Sequence, residues 1–286
     1  MNAAEQIISK QIEWAKNRGI GLIGSQGARG RKVYTTTLRE NLFKPLTSQT
    51  RKDLESGDGG ELAGSKSRPA RIQALHSSSA LGVNIFDYWM NSSDLSTIAS
   101  SCGLSKKGTS FSGDIRFEFK FPIDDRFRFA PNMDVVILPH GRTYNCYAIE
   151  CKFTEAYSSR GHDGLDPKYF DNENVWDGLI AVRQLADAIS PNDKRFQFLH
   201  ASQLIKHILG LNRKYGKSSY RLLYLYYDAL GESGFRHRQE VDEFTQIARF
   251  DGVAFHHTTY QELITRLAQY REQHPEYVRY LTERYL

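Results

Sequence analysis

The chain has 286 residues, enough for one large domain or two small ones. Its 40% hydrophobic and 12% aromatic content can fill a substantial core, which excludes wholesale disorder, and its longest apolar stretches are strand-sized rather than membrane-spanning. The formal net charge is +5, and the whole excess lies in residues 1–72, with 13 Lys/Arg against 7 Asp/Glu, so either a polyanionic partner or a plain basic surface belongs to that first quarter.

Residues 3–17 read as an amphipathic helix, with Ile7, Ile8, Ile12 and Trp14 roughly on one side. This start carries acids and lacks the apolar core of a secretion signal. The glycine-rich, basic run "GIGLIGSQGARGRKVY" follows, with no preceding strand and no P-loop lysine pattern, so it is not a nucleotide cradle. Residues 55–69 are a second loop on composition. Arg29, Arg31 and Lys32 are the candidate phosphate contacts of this part, and residues 1–68 are expected to form a basic accessory segment ahead of an α/β domain at 69–286. Pro69 opens an expected helix running to about Met90, with Ile72, Leu75, Ser79, Val83 and Phe86 at helical spacing.

The centre is strand-rich. "DIRFEFKFP" (114–122) alternates, with Phe117, Phe119 and Phe121 on one face and Arg116, Glu118 and Lys120 on the other. "NMDVVILP" (132–139) is the second strand, a glycine-containing turn follows, and "CYAIECKF" (146–153) is the third. Beyond them come helices at 174–190 and "ASQLIKHILGLNRK", a buried strand at 220–229, helix "VDEFTQIAR", strand "GVAFHHTTY", a helix opened by the capping box Thr259/Glu262, and a last helix from Pro275. This order predicts an α/β sheet with antiparallel strands on one side and crossovers on the other. Three cysteines without metal spacing suit a reducing cytoplasm.

Glu150 and Lys152 interrupt an apolar strand on the same side of its alternation, and charges placed so need partners. If the second hairpin turns about Arg142, pairs sum to 284 and Asp134 opposes Glu150. If the first turns about Arg126, pairs sum to 252 and Glu118 opposes Asp134. Three carboxylates in a row repel unless a cation sits among them, and oxygen-only ligands suit Mg²⁺ or Mn²⁺. Lys152 would add positive charge beside an attacking water.

Pro131-x-x-Asp134 followed by Glu150-Cys151-Lys152 resembles the PD-(D/E)XK phosphodiesterase superfamily, over roughly residues 69–229, and most nearly its uncharacterised restriction endonucleases. The resemblance implies a restriction-endonuclease-like core of mixed sheet and helices. It implies Asp134, Glu150 and the backbone carbonyl of Cys151 as metal ligands, Lys152 as the catalytic lysine, and Gln184 as a helix glutamine near the site. Proline and aspartate are adjacent in the family pattern but separated by two residues here, and the first core helix offers no glutamate, only Asp87 near its end. Glu118 is the replacement.

The expected function is therefore a Mg²⁺-dependent endodeoxyribonuclease acting on double-stranded DNA, for which two-strand cutting implies a homodimer. The alternatives are a catalytically silent DNA-binding or assembly module of the same fold, and an RNA-directed or structure-specific nuclease.

Overall fold

The alternating runs at the centre do pair as a meander. In the computed structural model, which describes residues 2–65, 67–158 and 161–286, the elements run as follows. Helix α1 (Ala3–Asn17) precedes the two-residue strands β1 (Leu22–Ile23) and β2 (Tyr34–Thr35), then α2 (Leu38–Asn41), α3 (Ser48–Ser56), α4 (Ser78–Phe86) and α5 (Ser96–Ser101). The meander is β3 (Gly113–Lys120), β4 (Asn132–Pro139) and β5 (Cys146–Lys152). Next come β6 (His162–Asp163), α6 (Ile180–Ile189), β7 (Asn192–Asp193), α7 (Ala201–Tyr215), β8 (Tyr220–Tyr226), α8 (Gly231–Phe250), β9 (Phe255–Thr259), α9 (Tyr260–Leu267) and α10 (Pro275–Tyr285).

One five-stranded sheet carries the fold, in the order β3-β4-β5-β8-β9. The first two pairings are antiparallel and the last two parallel. This is the mixed α/β architecture expected of a restriction-endonuclease-like core. Strand β8 is buried almost throughout, as an inner parallel strand with helices on both faces must be. Ile149, Cys151, Leu223 and Leu225 belong to the core beneath α4, α9 and α10, whereas Cys146, Ala148, Leu222 and Tyr224 belong to the core beneath α6, α7 and α8. Among the described residues, no helix is long and apolar enough to cross a membrane.

The registers are the two sums read from the sequence. Phe117 pairs with Val135 and Phe119 with Met133, and Val135 pairs with Ile149 and Val136 with Ala148. The expected single face for the phenylalanines does not hold, however. Phe117 packs in the first core, while Phe121 packs in the second with Phe119 against it. The reversal occurs at Glu118, whose φ of 48° lies in the left-handed region. On β4 the same crossover separates Val135 from Met133. Just before it, at the sheet edge, buried Asp53 of α3 accepts the Phe117 N–H at 3.1 Å and pairs with Arg116 at 2.7 Å.

Two helix boundaries move for local reasons. Residues 69–90 are not one helix: a 3-10 turn at Arg71–Gln73 is followed by extended Ala74, and α4 starts after Ser77, whose hydroxyl caps the Ala80 N–H at 3.1 Å. The helix expected at 174–190 is interrupted by Gly178 at φ 66°, so α6 starts at Ile180, with the N–H groups of Ala181 and Val182 capped by Asp251. A short helix not expected from the sequence, α5, lies between α4 and β3. The glycine-rich basic run is a tight ribbon built on β1 and β2, in which a side chain on Gly24 would meet the Arg29 carbonyl.

Residue 68 does not coincide with a break in packing. Ala3, Ile7, Trp14, Leu42 and Leu54 share the first core with α9 and α10. Buried Arg284 bonds Gln11 Oε1 at 3.0 Å and the Asn41 carbonyl at 2.8 Å, joining the two ends of the chain.

Candidate functional site

The site forms where backbone pairing between β4 and β5 stops. After Val135–Ile149 the ladder would next pair Asp134 with Glu150. Instead the Asp134 carboxylate takes the place of a backbone acceptor: Cys151 donates its N–H to Asp134 Oδ2 at 2.7 Å. The Lys152 carbonyl points the other way, toward β8, where it accepts from Tyr227 N–H at 2.9 Å. Alternation therefore directs the Cys151 carbonyl to the β4 side, beside Asp134.

Glu150 has no exposed surface, and Lys152 is 13% exposed at its side chain. Lys152 Nζ lies 2.6 Å from Glu150 Oε1 and donates to Gln203 Oε1 at 2.9 Å. The second oxygen, Oε2, lies 2.9 Å from Nε2 of buried His207. Burial alone would raise the Glu150 carboxyl, but the Lys152 ammonium and the His207 contact hold it down at about 2. Lys152 is held above its ordinary range by Glu150 and Asp134 against the effect of burial. Asp134 goes the other way: burial and then the Glu150 charge push it well above the usual carboxylate range, with Lys152 only partly offsetting them. One ammonium thus serves two carboxylates.

Glu118 adjoins this cluster without joining it in a straight row. It lines a cavity of about 10 Å³, scarcely one water, together with Asp134, Cys151, Ser79, Gly82 and Leu54. Burial and then the Glu61 charge push its carboxyl up to about 7, and Asn132 donates to it at 3.2 Å. The 57–61 loop packs beside Glu118. A Cβ on Gly57 would lie 2.8 Å from Glu118 Cγ, and Asp58 pairs with Lys120 at 2.8 Å. A wider cavity of about 520 Å³, lined by Asp124, Asn172, Arg213 and Lys217 among others, does not touch the Glu150–Lys152 pair.

The raised Glu118 carboxyl has a measurable consequence. The folded chain holds this proton where the unfolded chain has released it, so Glu118 costs stability as pH rises from about 4.5 to about 7. In chelator, Glu118→Gln is expected to match wild type near pH 4 and to be the more stable protein at pH 8. Denaturant melts at both pH values check this, and an equal offset at both would show that Glu118 is not held protonated.

The structure brings together Asp134, Glu150, Lys152 and the Cys151 backbone, with Glu118 at their border. It does not bring Gln184, which is exposed on α6 and makes no hydrogen bond to the cluster. The glutamine at Lys152 is Gln203, on the helix immediately before β8. Asp87 is likewise elsewhere, accepting hydrogen bonds from Thr47 and Thr50 at the start of α3. Arg29, Arg31 and Lys32 are all exposed on the N-terminal ribbon, and Arg31 pairs with Glu5 at 2.7 Å. Sequence reasoning missed Gln203, His207 and Glu61. The signal for the first two was available: polar residues four apart within the apolar pattern of Leu204, Ile205 and Ile208.

Among the described residues, no group of three or more His, Cys, Asp and Glu side chains is arranged to hold a metal ion. The set here is smaller, two carboxylates and one backbone carbonyl. It still suits a hard divalent cation, because Asp134 is a carboxylate short of positive charge and every donor is oxygen.

The model of the family described as "Restriction Endonuclease associating with ARP" matches residues 8–286. No curated protein and no solved structure matches the chain.

Proposed function

The chain belongs to this restriction-endonuclease family, and we propose from that footing that it is a Mg²⁺- or Mn²⁺-dependent nuclease hydrolysing DNA phosphodiester bonds as an endonuclease. One observation carries the reading: the buried Glu150–Lys152 pair stands beside Asp134, so that one ammonium is shared by two carboxylates and offsets the charge of Asp134 only in part. Asp134, Glu150 and the Cys151 carbonyl would hold the cation. Bound there, it would polarise a phosphoryl oxygen and lower the pKa of a coordinated water. Lys152, oriented by its bond to Gln203, would supply positive charge beside the phosphoryl group under attack. Glu118, ready to gain or lose a proton near neutrality, is the group placed to exchange one at the border of the site.

The test is incubation of the full chain with plasmid, linear duplex and RNA, with Mg²⁺ and with chelator. Metal-dependent conversion of supercoiled plasmid supports the reading, and cutting of RNA alone replaces it. Binding without cutting leaves a silent DNA-binding or assembly module.

The basic first quarter is proposed to hold the duplex through phosphates, with Arg29, Arg31 and Lys32 exposed for that purpose. Neutralising all three is expected to weaken binding to every sequence alike. The log–log salt slope should shrink by up to about 0.9 for each phosphate that the ribbon no longer neutralises. Titrations at several salt concentrations measure it, and an unchanged slope removes the ribbon from the interface. Cutting both strands implies two sites, so a homodimer on DNA belongs to the same proposal.

A further inference from the structure

Resting on that reading of the site, we infer that His207 is a positioning residue for Glu150. Gln203 and His207 are four apart on α7, on the same side of the helix. Four helical residues rise about 6 Å, and two strand residues rise about 6.6 Å. The near-equality lets α7 meet β5 in step. His207 Nε2 lies 2.9 Å from Glu150 Oε2, Lys152 Nζ lies 2.6 Å from Glu150 Oε1, and Gln203 Oε1 accepts from Lys152 at 2.9 Å. The four side chains close a ring between helix and strand.

His207 does little else. Its side chain is 1% exposed, and Nδ1 is buried with no hydrogen-bond partner. A carboxylate can only accept, so Nε2 carries the proton in this contact. The one polar interaction the imidazole makes among the described residues is the one that fixes Glu150. With Oε2 held by His207, the Glu150 carboxylate is oriented, and Oε1, bonded to Lys152, is the oxygen that would change partner when a cation arrives. A packing histidine would need no such contact and would leave both oxygens equivalent.

The experiment compares wild type with His207→Gln, whose amide places an N–H near the Nε2 position, and His207→Phe, which keeps bulk without a donor. Mn²⁺ binding to the full chain is followed by electron paramagnetic resonance, beside plasmid cleavage and melting in chelator. His207→Phe is expected to weaken Mn²⁺ binding about 10–100-fold, the usual effect of removing a group that orients a metal ligand. His207→Gln should stay within about 3-fold of wild type, and both should melt within a few degrees of it. The inference is overturned if His207→Phe binds Mn²⁺ as wild type does, if both variants weaken alike, if the loss simply follows a fall in melting temperature, or if wild type binds no Mn²⁺. Wild type that binds Mn²⁺ in the expected order of variants but cuts nothing would sustain the role of His207 and remove the nuclease reading instead.

Discussion

Glu150→Gln is expected to lower divalent-dependent DNA cleavage by a factor of about 10²–10³, the usual loss for one preorganised charge-stabilising group, while leaving the chain folded. The second half of that expectation is not obvious, because Glu150 has no exposed surface and breaking a buried ion pair commonly costs about 3–5 kcal/mol. The cluster has a spare carboxylate, however. Asp134 is held well above its ordinary range partly by the Glu150 charge. Remove that charge and Asp134 can ionise more readily, so Lys152 keeps a counter-ion. The glutamine can still donate or accept at His207 and Lys152. Lys152→Ala has no such substitute: it leaves Glu150 buried with only the His207 contact, so it should be both inactive and clearly less stable. Cleavage rates with Mg²⁺, read beside melting curves, separate the two. A Glu150→Gln protein that cuts at the wild-type rate would place the chemistry elsewhere.

This difference between the two variants is not visible in the sequence, although the pairing that underlies it is. Glu118, Asp134 and Glu150 are evenly spaced, and hairpins centred on Arg126 and Arg142 give the observed registers because both strands of each hairpin are regular near their turns. What fails is the inference from alternation to a shared face. A single left-handed residue, Glu118, rolls the strand over, and no residue type announces it, since glutamate is not a residue that favours positive φ. The helix glutamine fails for another reason. Two helices lie between β5 and β8, and periodicity marks the apolar side of each without saying which one lies over Glu150. Gln184 sits on the outer side of its helix, whereas Gln203 and His207 are drawn inward because charged groups on β5 need partners there. The 57–61 loop is irregular, as its composition requires, but its place over Glu118 depends on α3 packing against the sheet edge, a long-range contact that composition does not encode.

Asp134→Asn is expected to make the metal-free protein slightly more stable and, at the same time, inactive. The asparagine keeps the shape and can still accept the Cys151 N–H through its amide oxygen. What it removes is a carboxyl whose folded-state pKa is raised. Such a group favours the folded chain's proton, so the wild type loses stability as pH climbs from about 3.8 through the raised value, and the variant does not. Relief of a like-charge cross-strand pair is worth about 0.2–1 kcal/mol, so the variant's advantage in chelator should be of that size at pH 8 and should vanish near pH 3. Adding Mg²⁺ reverses the ranking. A cation that binds only the folded wild type stabilises it by about 2.7 kcal/mol at a hundred times its dissociation constant, and the variant, short of one ligand, should gain far less. Thermal melts of both proteins, with chelator and with Mg²⁺, read all of this at once. If Asp134→Asn is the less stable protein in chelator at pH 8 and responds to Mg²⁺ as wild type does, Asp134 is an ordinary partner for the Cys151 N–H and Lys152. The cation would then have to be held without it, and the ligand set built on Asp134 and Glu150 would fall.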